Sequence, residues 1–145
     1  MKYAFLLYPH QNVRYRQSMK LLAEQELLMT LRALGHESDV KLEDMGSAAF
    51  LHFEAENLTE RDVRMLSQLA SVYVMFACEN GGMTPIESLH PDYIGEDLPA
   101  LLKYKGKTNE MFTDTMLTMA LAASGFMPQH DTPLPVCDPM AGEMA

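Results

Sequence analysis

The residues best suited to bind a small ligand lie near the end of the 145-residue chain, where residues 135–142 read PVCDPMAG. The short apolar run predicts a buried strand, and the Asp-Pro that follows predicts a tight turn. Asp138 would then stand at the carboxyl end of the strand, and Gly142 would let the backbone approach a ligand. The pattern predicts a ligand-binding turn, but a strand followed by an ordinary turn can show the same residues.

A second polar segment lies upstream, where residues 105–114 read KGKTNEMFTD. It opens a predicted helix, Asn109–Ser124, which has apolar side chains along one side and Gly125 after its last turn. The letters KGKT are shared with phosphate-binding loops. This segment lacks the preceding strand and the first glycine of such a loop, and we therefore exclude that motif.

Together the two segments resemble the entry to the class I, Rossmann-type, S-adenosylmethionine-dependent methyltransferases that modify amino groups of nucleic-acid bases. The arrangement is most similar to that of the tRNA methyltransferases with an added N-terminal ferredoxin-like domain. In that family a helix precedes a strand that reads roughly (V/L)-(L/C)-D-P-(M/F)-(C/A)-G, and a second glycine with threonines follows. Here the chain reads Glu143-Met144-Ala145 instead. The resemblance therefore covers residues 105–145 and is cut off inside its best motif.

The resemblance implies S-adenosylmethionine as the cofactor of a complete protein. It also implies which residues would contact the cofactor, from the helix and from the turn: Thr108, Asn109, Phe112, Thr113, Asp138 and Gly142. The family's Asn/Asp-Pro-Pro-aromatic tetrapeptide does not occur, so we assign no catalytic residue and expect no methylation by this fragment. We expect no metal site either, because Cys78 and Cys137 lie far apart without metal-ligand spacing.

The charge distribution limits where a nucleic acid could bind. The net charge of −9 argues against a free-standing nucleic-acid-binding protein. The basic residues nevertheless form two clusters in the sequence, and any RNA contact should fall there: Arg14, Arg16, Lys20, Lys103, Lys105 and Lys107. A solvated surface is the alternative interpretation of each cluster.

Upstream of these segments the apolar residues repeat with the two-residue period of a strand or the 3.6-residue period of a helix. These periods follow one another in the order β-α-β-β-α-β. The predicted strands are residues 2–8, 38–44, 48–55 and 71–79, and the predicted helices are residues 13–34 and a short helix capped by Thr59. This order is typical of an α+β, ferredoxin-like domain with a four-stranded antiparallel sheet and both helices on one face. We expect this accessory domain at 1–88, a connector at 89–107, and the first helix and strand of a Rossmann-like methyltransferase domain at 108–145.

The long helix 13–34 is apolar on two sides. One side packs on its own sheet, and the other carries Leu22 and Met29. An uncovered apolar surface favours association. We therefore expect that second side to be covered by residues after 98 or by another copy of the chain, which would make a homodimer.

No apolar run approaches the ~20 residues that a membrane helix needs, so we expect no membrane association. The N-terminus does not read as a signal peptide, and two distant cysteines fit a reducing compartment, so we expect a cytoplasmic protein. The sequence thus predicts the N-terminal portion of an S-adenosylmethionine-dependent methyltransferase that acts on RNA. A small ferredoxin-like interaction or dimerisation module without enzymatic activity is the alternative. The target base and the RNA stay open.

Overall fold

The computed structural model describes residues 1–9, 13–87, 108–127 and 133–137. These residues form an α+β structure with a five-stranded antiparallel sheet and three helices. In chain order the elements are β1 (Lys2–Leu7), α1 (Val13–Ala33), β2 (Lys41–Met45), β3 (Ala48–Glu54), α2 (Glu60–Ser67), β4 (Val72–Glu79), β5 (Gly82–Ile86) and α3 (Glu110–Ser124). None of these helices is long and apolar enough to cross a membrane. The predicted connector 89–107 lies outside the described residues.

The sheet has the strand order β2-β3-β1-β4-β5, which makes β1 its central strand. Phe5 of β1 stands opposite Leu51 of β3 on one side and opposite Met75 of β4 on the other. All three side chains are buried. Because side chains alternate along a strand, this register brings the apolar residues of three strands onto one face of the sheet.

That face is covered by two helices. Leu27 and Leu31 of α1 and Leu66 of α2 belong to the same buried cluster as the sheet residues Phe5 and Phe53. The ring centroids of Phe5 and Phe53 are 5.0 Å apart in an edge-to-face arrangement, which favours aromatic packing beyond simple burial. The prediction that both helices share one face is therefore confirmed.

The strand β5 was not predicted, and the expected four-stranded sheet was wrong by one strand. The predicted strand 71–79 ends where Asn80-Gly81 turns the chain back into a hairpin that pairs β5 with β4. Asn80 and Gly81 both have positive φ, 51° and 78°. Positive φ at both central residues is the conformation of a type I′ turn, for which Asn-Gly is the strongest sequence signal. Pro85 is tolerated because β5 is an edge strand.

Two other strand predictions differ from the structure. The second strand begins at Lys41 rather than at residue 38, and all its residues are exposed because it forms the opposite edge. Residues 133–137, expected as the buried strand that leads to Asp138, have no regular secondary structure, and Val136 is 75% exposed. A strand is stable when its backbone groups are paired, and no described strand pairs with this segment.

The short helix α2 begins as predicted. The hydroxyl of Thr59 accepts a hydrogen bond from the backbone N–H of Asp62 at 3.2 Å, and the Asp62 carboxylate accepts one from the backbone N–H of Thr59 at 2.9 Å. This reciprocal pair is a capping box, which satisfies two backbone donors that a helix start leaves without intrahelical acceptors. Asp62 takes the position that glutamate or glutamine more often occupies in this motif.

The second side of α1 is covered from within the chain, by α3. Leu22 and Met29 are half-buried, and Glu26 and Thr30 beside them are fully buried. From α3 and the residues after it, Thr115 and Met127 are also buried. The expectation that residues after 98 cover this side is confirmed for the α1–α3 contact. The side that suggested a homodimer is therefore covered by α3 of the same chain.

Candidate functional site

Four of the six predicted cofactor-contacting residues meet at the start of α3. Asn109 is the N-cap of this helix, and its side-chain oxygen accepts a hydrogen bond from the backbone N–H of Phe112 at 3.0 Å. Thr113 donates its hydroxyl hydrogen to the backbone oxygen of Asn109 at 3.1 Å. Both polar side chains therefore have structural roles in starting the helix.

Of the other four predicted residues, two lie within the described residues and two do not. Thr108 is exposed, and 38% of the surface of Phe112 is exposed. Asp138 and Gly142 lie outside the described residues. The structure thus brings together the helix half of the predicted cofactor site.

A small pocket lies beside the start of α3. It has a volume of about 30 Å³ and lies between the carboxyl end of β1, the first turns of α1 and the turn before β4. Arg16 and Lys20 of α1, Ser71 of the turn and Met111 of α3 contribute to its lining. This pocket, which we call the basic pocket, therefore places two cationic side chains next to the helix start that the resemblance assigns to cofactor binding.

The basic pocket contains only part of the predicted RNA-contacting set. Lys20 donates to the carboxylate of Asp44, and the Lys20 side chain is 20% exposed whereas that of Asp44 is 58% exposed. The side chain of Arg14 and the residues Lys103, Lys105 and Lys107 lie outside the described parts of the structure. Of the predicted RNA-contacting residues, Arg16 and Lys20 line the basic pocket.

Glu26 is a buried ionisable residue that the sequence analysis did not single out. One carboxylate oxygen accepts a hydrogen bond from the backbone N–H of Ala70 at 3.3 Å, and the other oxygen has no hydrogen-bond partner. Burial raises the pKa of Glu26 to about 7; the Ala70 hydrogen bond opposes this rise, the Asp114 charge adds to it, and a Thr118 hydrogen bond opposes it. The sequence signal was its position between Leu22 and Met29 on the second side of α1.

A wider groove lies at the other end of the sheet, where β1 begins. It has a volume of about 950 Å³ and is open to solvent, and its lining mixes basic and acidic side chains. Cys78 contributes to this groove, and burial raises the pKa of its thiol, which makes it a poor nucleophile at neutral pH. No group of three or more His, Cys, Asp or Glu side chains that could hold a metal ion occurs among the described residues.

Comparisons of the chain with protein-family models, with curated proteins and with solved structures give no match.

Proposed function

We propose that this chain forms the N-terminal portion of an S-adenosylmethionine-dependent methyltransferase that acts on RNA. In this proposal β1 to β4 with α1 and α2 are a ferredoxin-like accessory domain, and α3 is the first helix of the Rossmann-like domain. The strand order β2-β3-β1-β4, with antiparallel neighbours and two helices on one face, supports the first assignment. β5 is then an addition at the edge beside β4.

One observation carries the proposal: Arg16, Lys20 and the first turn of α3 line the same pocket. An RNA methyltransferase must hold its negatively charged substrate near the methyl donor. Phosphate contacts from basic side chains position a nucleic acid, whereas stacking and polar contacts act on the base. The exposed Phe112, on the same turn, fits the second role.

The described residues supply only a few contacts for the cofactor. Micromolar affinity corresponds to about 8 kcal/mol, and one good hydrogen bond to a charged group contributes about 1.5–3 kcal/mol. After the ordering costs of binding, contacts from α3 and from the predicted turn at Asp138 cannot reach that affinity. We therefore expect no heat of S-adenosylmethionine binding when the 145-residue chain is titrated in a calorimeter.

The decisive test uses a longer polypeptide, made by reading the gene past the codon of Ala145. We expect it to bind S-adenosylmethionine at micromolar concentration, and we expect Asp138→Ala to weaken that binding about tenfold or more through loss of a charged hydrogen bond. Asp39→Ala removes the same charge at an exposed position far from α3 and should leave the affinity unchanged. Tight binding by the 145-residue chain would mean that the site is misplaced, and absence of binding by the longer polypeptide would remove the proposal.

The alternative, an interaction module without enzymatic activity, is favoured by the other face of the sheet. The register places the half-buried Leu6 opposite Phe50 and Val74, on the side away from α1 and α2. Apolar side chains on such a face can bind a partner protein. Under this alternative, Phe50→Ser should abolish association with a second protein and leave any RNA binding intact. The methyltransferase proposal predicts that Arg16→Gln weakens RNA binding and leaves association with a second protein intact.

A further inference from the structure

The two edges of the sheet differ in whether another strand can pair with them. β5 contains Pro85, which has no backbone N–H and interrupts the row of donors along that edge. β2, at the opposite edge, contains neither proline nor glycine, and all of its residues are exposed. An edge strand presents unpaired backbone N–H and C=O groups to any strand that approaches it. β2 is therefore the edge at which a further strand can extend the sheet.

The face of β2 that continues the sheet core carries a partly exposed apolar residue. Leu42 stands opposite Leu51, which is 1% exposed and belongs to the core cluster, whereas Leu42 itself is 37% exposed. Val40 packs against the same cluster and is partly buried. A strand paired with the outer edge of β2 would cover Leu42, and burial of its apolar surface would favour the pairing.

The other face of β2 carries side chains of both charges. Because side chains alternate along a strand, Lys41 and Glu43 lie together on the face away from Leu42. No ion pair involves Lys41 within the described parts of the chain. Glu43 Oε2 lies 3.1 Å from His52 Nε2, but the Glu43 side chain is 59% exposed and its carboxylate can accept further hydrogen bonds. The outer edge of β2 therefore offers one cation and one anion, two residues apart, to an approaching strand.

A second copy of β2 matches this pattern in one register. Antiparallel strands place directly opposite residues on the same face of the sheet, so a two-fold axis between two copies passes between two identical residues. An axis at Lys41, Glu43 or Asp44 sets two like charges directly opposite each other, which is unfavourable. An axis at Met45 leaves no length of strand to pair, because the turn into β3 follows. An axis at Leu42 sets each Lys41 opposite Glu43 of the other copy and brings the two Leu42 side chains together.

We propose that β2 pairs with β2 of a second copy of this chain, antiparallel about a two-fold axis at Leu42, and joins the two five-stranded sheets into one. The inference does not rest on the proposed function, because it uses neither α3 nor the basic pocket. The net charge of −9 opposes the association of two copies, and the contact is short. The dimer is therefore a weak one, which forms at high chain concentration and at an ionic strength that screens the net charge.

The test is sedimentation equilibrium of the chain at increasing concentration and physiological ionic strength, which gives the dissociation constant of the dimer. Lys41→Glu or Glu43→Lys alone should weaken the dimer about tenfold or more, because the symmetry turns two attractive pairs into two repulsive ones. An equimolar mixture of the two single variants should associate again, because the charges then oppose each other across the interface. Lys2→Glu and Glu56→Lys make the same charge changes at exposed positions outside β2 and should leave the dimer unchanged.

A second measurement needs no variant. In a mixture of ¹³C-labelled and unlabelled chains, we expect nuclear Overhauser effects between the methyl groups of Leu42 in the two copies. A chain that stays monomeric at every concentration overturns the proposal, and so does a dimer that both single variants keep. A dimer that is abolished by Phe50→Ser but not by the changes at Lys41 and Glu43 also overturns it, because the interface then lies on the outer face of the sheet.

Discussion

Two buried carboxylates, one beside the sheet core and one between α1 and α3, differ in how their charge is compensated. Asp62, at the start of α2, accepts hydrogen bonds from the backbone N–H and the hydroxyl of Thr59 and lies 3.4 Å from the His36 imidazole. Burial acts to raise the pKa of Asp62, but these partners outweigh burial and lower it. For Glu26, between α1 and α3, burial outweighs the hydrogen bonds from Ala70 and Thr118, and its pKa is raised.

The difference extends to the surroundings of each carboxylate. Asp62 lies beside the apolar cluster of the sheet, where the polar groups at the start of α2 have partners within the same turn. Around Glu26, the hydroxyls of Thr30 and Thr115 are buried without partners, and burial also raises the pKa of Asp114. The sheet core is stabilised chiefly by apolar packing, and the lowered pKa of Asp62 adds stability that is lost only as the pH falls. The α1–α3 contact is polar, and its stability falls as the pH rises.

The largest effect should come from the sheet core. Phe53 is 2% exposed, and its ring lies 5.4 Å from that of Tyr3 and 5.0 Å from that of Phe5. Phe53→Ala should lower the free energy of unfolding by about 3–5 kcal/mol, because it removes apolar contacts and leaves a cavity. Urea unfolding followed by circular dichroism measures this. Phe126→Ala, at a 51% exposed position, is the control, and a loss below about 1 kcal/mol for Phe53→Ala would contradict the assignment of the core.

The next effect concerns the α1–α3 contact and has a defined sign. A carboxyl group whose pKa is higher in the folded than in the unfolded state binds more protons when folded, so stability falls as pH rises between the two values. For Glu26 this window runs from 4.5 to about 7. At pH 8 the penalty is about 3 kcal/mol at most, and Glu26→Gln should remove most of it while keeping an acceptor for Ala70.

Urea unfolding of the Glu26→Gln variant and the unchanged chain at pH 5 and pH 8 measures this dependence. The variant should be the more stable chain at pH 8, and its advantage should shrink at pH 5. Glu24→Gln, on the same helix at a partly exposed position, changes the same charge and should show no comparable gain. An advantage for Glu26→Gln that is equal at both pH values would show that its carboxyl group does not titrate in that window.

The smallest effect compares the two helix caps. Thr59→Ala removes one half of the capping box of α2, and Asn109→Ala removes the side-chain acceptor for Phe112 in α3; each should cost about 1 kcal/mol. We expect the first change to lower the global stability and the second to loosen α3 alone. Amide hydrogen exchange resolves the two responses, and uniform loss of protection in both variants would contradict the separation of the two regions.

The sheet core could be predicted from the sequence because its signals are local. Alternating apolar residues, the Thr59 cap and Gly125 after the last helix locate β1, β3, β4 and the helices with small errors at their ends. The missed strand β5 had a local signal too, the Asn80-Gly81 turn. The expected strand before Asp138 depends on pairing with other strands, and its own residues do not determine whether such partners are present.

The site was predictable only in part, for a physical reason. Arg16 and Lys20 were identified by charge, but their meeting with Ser71 and Met111 depends on how α3 packs on α1. Glu26 was missed because a glutamate in a helix normally predicts an exposed position, and its burial follows from that same packing. Contacts between elements far apart in the chain leave no periodic signal in the sequence.

The central claim is tested most directly by methyl transfer. The polypeptide read past the codon of Ala145 is incubated with S-adenosylmethionine labelled in its methyl group and with unmodified small RNAs, and the label in RNA is counted. We predict label in RNA that falls at least tenfold in Asp138→Ala and is unchanged in Asp39→Ala. No transfer to RNA by a folded polypeptide that binds S-adenosylmethionine would contradict the RNA assignment, and no binding of the cofactor would contradict the methyltransferase itself.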